Sequence, residues 1–499
     1  MATIDEVGQP DHGGPEQGAH REHDLETALG FLDSIVMAVA GSAPAYSIAA
    51  TTALLVGTVG FAGPAALLWC GIPMFGIAIA YHQLNKTGAS AGAAYAWVGR
   101  VLHPYLGWLA GWCVVVSATI FMVAGSLPAG QVTLSLFSAS AASHTWAVVV
   151  VGSIWFLVMA YFVARGVRIT ANAQWIMSSI ECGLLVIFVI LGFIHASNHP
   201  HISFSLSWLG FSHFTGFTGG GASFIAGALI AAFYYWGWDV SSNLGEETHD
   251  AEKNSGPGGL IGVVIVFVLF ELFTIVINMD VPTGTVTGSG NVLENLGHIV
   301  GGGFGGKLMI VAVALSTIAT LETTLIQVTR SLWSMAREKT LPARFGELHP
   351  EWRTPVFATA VIAAISLIIF IVSSFAHSVN QVLGDAISAI GLQIAVYYSL
   401  AGFAAVVAFR KLAFKSLSNF LLMFLFPLVG GAFMLFIFIE SLTSGSLTST
   451  DIWIGIGAIL IGVIPLGYYA IKGSPYLQEK PTLGNVPPSE EFVGAERLI

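Results

Sequence analysis

FLDSIVMAVAGSAPAYSIAATTALL, residues 31–55, and GALIAAFYYWGWDVSSNLGEE, residues 227–247, are the two stretches on which the reading of this chain turns. Both are apolar enough to enter a bilayer, and both are broken near the middle. In the first, Gly41, Ser42, Ala43 and Pro44 sit midway. Pro44 removes a backbone donor and clashes with the preceding turn, and Gly41 relaxes the backbone. In the second, Gly237 and Asp239 stand among Phe233, Tyr234, Tyr235, Trp236 and Trp238. A helix broken at membrane depth exposes carbonyl and N–H groups that lipid cannot satisfy, so they must face a cavity or a ligand. Simple kinking explains either break alone, because Gly and Pro are common in membrane helices. Two breaks at corresponding positions favour a binding site.

The rest of the chain supports a bilayer setting. Of 499 residues, 55% are hydrophobic and 9% charged, against roughly 25% charged in soluble domains. A crossing helix needs about 20 apolar residues. Candidate spans fall at 28–57, 64–84, 105–127, 146–164, 170–194, 222–244, 258–279, 308–335, 356–376, 383–408, 417–440 and 452–471. The expected fold is all-α and polytopic, with about twelve transmembrane helices. The breaks fall in spans one and six, the spacing of a 5+5 inverted repeat. The expected organisation is a disordered cytoplasmic tail over 1–24, a first repeat over 25–200 and a second over 215–410. Two further helices follow over 415–472, then a cytoplasmic tail over 473–499.

Lys and Arg set the orientation. With the N-terminus in the cytoplasm, 17 of the 18 basic residues lie inside and only Lys307 lies outside. The expected location is therefore the cell (cytoplasmic) membrane, with both termini cytoplasmic. Segments 195–221 and 280–307 read as external loops, and 85–104 as a polar stretch lying along the interface. The first 24 residues have no apolar core of a signal peptide.

Several functions are disfavoured. Net charge is −10 with no basic stripe, which does not suit nucleic acid. Cys70, Cys113 and Cys182 lie in apolar runs with no pairing or metal spacing, and the histidines show none either. GGGFGGK (301–307) nearly spells a phosphate loop, but Leu308 replaces the required Ser or Thr and no strand precedes it. An enzyme would need clustered nucleophiles or ligands at one depth, a sensor an output domain, and a channel repeated pore segments.

Gly41-Ser42-Ala43, PYLGWLAGW (104–112), FYYWGWDVSSNLGEETHDAEKNSGPGG (233–259) and TRSLWSMAREKTLPARFGELHPEWRTP (329–355) resemble motifs of the amino acid–polyamine–organocation superfamily, which has the LeuT-type fold. The likeness covers roughly residues 25–470 and is most specific in the last two stretches. It implies a substrate site between helices one, three, six, eight and ten. A substrate α-carboxylate would meet the N–H groups and hydroxyl around Gly41, Ser42 and Ala43. An amino group would meet carbonyls near Val39, Phe233 and Trp236. Phe233 falls where the family places an aromatic gate, and Tyr234 and Thr323 complete the substrate-binding candidates. The third break residue is Ala where the family has Gly, and Pro44 follows it. That bears on how closely a carboxylate can approach the backbone.

Buried acids supply the coupling candidates, since ionisable groups at membrane depth are costly and usually functional. Glu181 lies about 16 Å along the fifth span, near the midplane. The family can place there a lysine or polar residue that substitutes for sodium. A carboxyl in that place can exchange a proton, pair with a cationic substrate, or simply hydrogen-bond a broken helix. Glu322 lies in TLETTLIQ (320–327), expected to face the cavity. Asp239 matches an acidic position of the family, with helix capping as its structural alternative. Glu271 reads as structural, and Glu246 and Glu247 as an inner gate or solvated loop.

The sequence thus points to a permease importing an amino acid or small amine (polyamine) by alternating access. The expected driving force is a proton gradient, with no cofactor. Sodium stands as the alternative ion, held around Ala40, Ser316 and Thr320. Cavity acids without a cavity Lys or Arg favour a cationic substrate. An amino acid/amine exchanger is the alternative function. The expected partners are the small-molecule substrate and the lipid bilayer, and a homodimer is compatible with the reading.

Overall fold

The computed structural model describes residues 25–481 apart from Pro200, Gly220, His377, Ser378 and Ser446. The tail expected over 1–24, and the end of the chain beyond 481, lie outside the described residues. Among the described residues there is no strand, only an isolated bridge between Leu29 and Thr248. Among the described residues, ten helical stretches are long and apolar enough to cross a membrane, Phe31–Asn85 counting as one. The expected number, about twelve, differs from this at two places. Phe31–Asn85 reverses at Gly60 (φ 57°, ψ −130°), after which Gly63–Asn85 runs back. The other place is the short apolar helix Phe224–Tyr234.

Helix starts follow ordinary capping chemistry. The side chains of Ser223, Asn291 and Thr448 accept from backbone N–H groups of Phe224–Tyr234, Val292–Arg337 and Ser449–Ile461. Pro104 occupies the first turn of Pro104–Ser135, where no N–H is needed. Pro104–Ser135 and Val167–Asn198, at 32 residues each, are about 48 Å long and must tilt in a hydrocarbon core of about 30 Å. The helices Thr145–Arg165, Val356–Ala376 and Ser449–Ile461 turn large apolar side chains outward, among them Ile154, Ile368 and Trp453. Water would not tolerate that girdle; lipid does. Val292–Arg337 is the central helix, packed against both Pro104–Ser135 and Val167–Asn198.

Three segments gain definition. Within segment 85–104, Ala94–Val101 is a helix buried against the rest of the protein, with Tyr95 and Trp97 0% exposed. Segment 280–307 is largely helical, comprising Thr283–Gly288 and the start of Val292–Arg337, which kinks at Gly301 and Gly302. GGGFGGK is that kink. Segment 195–221 carries an aromatic cap, in which Phe211, Phe214 and Phe217 all pack on Phe224 and Trp208 stacks on Phe61.

Both breaks are present and touch each other. Ala43 ends Phe31–Ser42 in the left-handed region (φ 48°, ψ 63°). Beyond it come one turn, Pro44–Tyr46, a π-turn, Ser47–Thr51, and the helix Thr52–Val59. Phe224–Tyr234 stops before Gly237 (φ 98°), and Val240–Asn243 resumes for a single turn. The crossing is backbone on backbone: a Cβ on Gly41 would strike the Gly237 carbonyl, and one on Gly237 the Gly41 carbonyl. Replacing Gly41 by Ala is therefore expected to destabilise the protein by about 1–3 kcal/mol through overpacking. Ala43→Gly is expected to stabilise it by about 1 kcal/mol by relieving the left-handed alanine. Thermal melting of the purified variants checks both signs; an unchanged Gly41→Ala melt contradicts the contact.

Candidate functional site

Breaking the first span frees amide groups inside the bundle, and side chains from two distant helices take them up. Val167–Asn198 presents Glu181, which is 0% exposed. Its Oε1 accepts the Ala45 N–H at 2.9 Å. Val292–Arg337 presents Ser316, whose hydroxyl accepts the Tyr46 N–H at 3.1 Å and also reaches the Glu181 carboxyl. Four residues on, Thr320 donates to the Gly41 carbonyl at 3.2 Å. Both sides of the break are thus tied to one polar seam between these helices. Glu181 Oε2 and the nearby Ser178 hydroxyl are buried without a protein partner.

The seam continues along the same face of Val167–Asn198. Thr170, Gln174, Ser178 and Glu181 recur at three- and four-residue steps and are all buried. Gln174 Nε2 donates to Glu322 at 2.5 Å and to the Ala319 carbonyl at 2.9 Å. Glu322 therefore meets Gln174 rather than the break. Thr323 turns its hydroxyl to the Ala319 and Thr320 carbonyls of its own helix.

The second break is aromatic. Phe233 and Trp236 pack with Phe121 of Pro104–Ser135, at ring separations of 6.3 and 5.4 Å, and Tyr46 meets Phe121 at 6.0 Å. Trp236 Nε1 donates to Tyr397 at 2.7 Å. Asp239 then accepts from Tyr397 and Tyr398, at 3.2 and 3.1 Å. Tyr81 and Trp238 lie against Tyr398, at 5.8 Å each. Tyr234 faces elsewhere, with its hydroxyl 2.6 Å from Thr52.

The structure therefore gathers Val39, Gly41, Ser42, Ala43, Phe233 and Trp236 around the crossing breaks, with Glu181 on one flank and Asp239 on the other. Glu322, Thr323 and Tyr234 stand apart from that group. The Val39 and Phe233 carbonyls already accept Ala43 and Trp236 N–H groups, and each retains a second lone pair. Glu271 is buried on Ala251–Asp280. Among the described residues no group of three or more His, Cys, Asp or Glu is arranged to hold a metal.

Sequence reasoning passed over Gln174, Tyr397 and Tyr398. The spacing of Thr170, Gln174, Ser178 and Glu181 was the available signal for the first, and an adjacent tyrosine pair within an apolar span for the others. It also passed over the pairing of two inner acids. Arg330, 0% exposed, binds Glu247 through two contacts of 2.8 Å. Arg337 binds Glu246 through two of 2.7 Å and lies over Trp333. Glu247 also accepts the Ala28 and Leu29 N–H groups through its backbone carbonyl. These clamps join the end of the broken sixth span to the central helix and to the approach of the first. Glu247→Gln leaves the Arg330 charge buried and unpaired, at a cost of roughly 3–5 kcal/mol. A lower melting temperature, partly recovered in the charge-swapped Glu247→Arg/Arg330→Glu protein, is the expected result; an unchanged melt excludes the clamp.

The amino acid permease family matches residues 29–477. The chain is 24% identical to the vacuolar cationic amino acid transporter 4 of Arabidopsis thaliana, over 69% of this chain and 58% of that one. It is 24% identical to the low-affinity putrescine importer PlaP of Escherichia coli (strain K12), over 72% and 73%. It is also 24% identical to the serine/threonine exchanger SteT of Bacillus subtilis (strain 168), over 66% and 70%. With the family match spanning nearly all of the helical bundle and both breaks, the chain belongs to the amino acid permease family.

Proposed function

We propose that this protein imports a cationic amine or amino acid across the cytoplasmic membrane by alternating access, coupled to protons through Glu181. The observation that carries the reading is the placement of Glu181. It is wholly buried, it holds an amide of the broken first span, and its second oxygen has no partner. A proton arriving at or leaving that carboxyl changes the strength of its bond to the Ala45 N–H. Protonation is thereby coupled to the element that must move when the site opens. Asp239 and Glu322 are further candidates for the coupling group. Sodium stands as the alternative ion, since the Ser316 and Thr320 hydroxyls, bonded to Tyr46 and Gly41, each keep a free lone pair.

The proposed layout is a 5+5 inverted repeat over 25–200 and 215–410, with both termini cytoplasmic. The backbone crossing of Gly41 and Gly237 supports it, since breaks related by such a repeat meet near the midplane. The relatives named as a putrescine importer and a cationic amino acid transporter support a cationic substrate. The relative named as a serine/threonine exchanger supports the second reading, exchange.

Uptake into proteoliposomes tests the proposal. An inward proton gradient, without sodium, is expected to accumulate labelled putrescine or lysine, and Glu181→Gln to abolish the pH dependence. Retained pH dependence in the variant removes Glu181 from the coupling role. Uptake of neutral amino acids alone overturns the charge argument. Transport only after internal loading establishes exchange.

A further inference from the structure

The amide end of an interrupted helix attracts a carboxylate, because its N–H groups lack helical partners and its dipole end is positive. In this protein those donors are already engaged. Ala43 N–H donates to the Val39 and Ala40 carbonyls, both at 3.2 Å, and Pro44 has no N–H. Ala45 N–H donates to Glu181 at 2.9 Å, Tyr46 N–H to Ser316 at 3.1 Å, and Ser47 N–H back to Ala43 at 2.8 Å. The Ser42 hydroxyl donates to the Ala38 carbonyl at 3.1 Å. Glu181 is a carboxylate of the protein's own, fixed where a substrate's carboxylate would otherwise bind.

Two further observations concern what the site lacks. Glu181 Oε2 is buried with no partner, a vacancy that a donor such as ammonium fills and a second carboxylate cannot. Next to Ala45, whose N–H Glu181 holds, Tyr46 packs on Phe121 and Phe121 on Trp236; Trp236 donates to Tyr397, which donates to a second buried carboxyl, Asp239. Two acids separated by aromatic faces suit two ammonium groups joined by methylenes. A substrate carboxylate would instead have to displace Glu181 and leave like charges together out of water.

We infer that the substrate is an amine without an α-carboxylate, a diamine or longer polyamine, and that Glu181 excludes the corresponding amino acids. This rests on the amine or amino acid transport reading above.

Competition binding to the purified full-length protein tests it, using pairs that differ only in the carboxylate: putrescine against ornithine, and cadaverine against lysine. In the unmodified protein the amine of each pair is expected to bind at least about tenfold more tightly, a difference of about 1.4 kcal/mol. Glu181→Ala frees the Ala45 N–H and should narrow that ratio. Glu181→Gln keeps an acceptor on it but removes the charge, and should narrow the ratio less than Glu181→Ala does. The Gln variant retains the cap if the Ala variant fails to fold. Equal or tighter binding of ornithine and lysine by the unmodified protein overturns the inference while leaving the transport reading intact. Binding of no member of either pair overturns both.

Discussion

An interrupted helix inside a bilayer leaves amide and carbonyl groups that lipid cannot solvate, and the bond from the Ala45 N–H to Glu181 is this protein's main answer to that cost. Each such group left unpaired costs several kcal/mol in hydrocarbon. The partners are therefore drawn from helices far away in sequence. Glu181 comes from Val167–Asn198, and Ser316 and Thr320 from Val292–Arg337. Neither helix can move away from the broken first span without exposing what it satisfies. The seam that protects the break is thus also what couples it to the rest of the bundle.

The second break is handled differently. Gly237 lets the sixth span approach the first until backbone meets backbone, and rings rather than carboxylates fill the surrounding space. Asp239 is held by two tyrosine hydroxyls and has no cationic partner among its hydrogen bonds. Beyond it, Glu247 and Arg330 form a buried, doubly bonded ion pair. Such a pair is a poor source of net stability but a sharp switch, since separating the partners leaves each charge without its counterpart.

The all-α membrane class was legible in composition and in the length of the apolar runs, because the bilayer imposes both. The breaks were legible because Gly41, Pro44 and Gly237 act through local backbone chemistry. Long-range pairings were not. Nothing near Glu181 in sequence signals that it would meet Ala45, 136 residues away, and nothing near Gln174 signals Glu322. Segment 85–104 looked merely polar because its Gly, Ser and Lys dilute its hydropathy, and that gave no sign that Tyr95 and Trp97 would be buried against the protein. Segment 280–307 looked like a loop because of its glycines, which instead form a helical kink at Gly301 and Gly302.

A cryo-electron microscopy structure of the protein saturated with putrescine would test the account most directly. It should place ligand density against the crossing of Gly41 and Gly237, among Phe121, Phe233 and Trp236, with Glu181 still bonded to the Ala45 N–H. Density elsewhere, with Phe31–Ser42 running unbroken into the residues beyond Ala43, would contradict it.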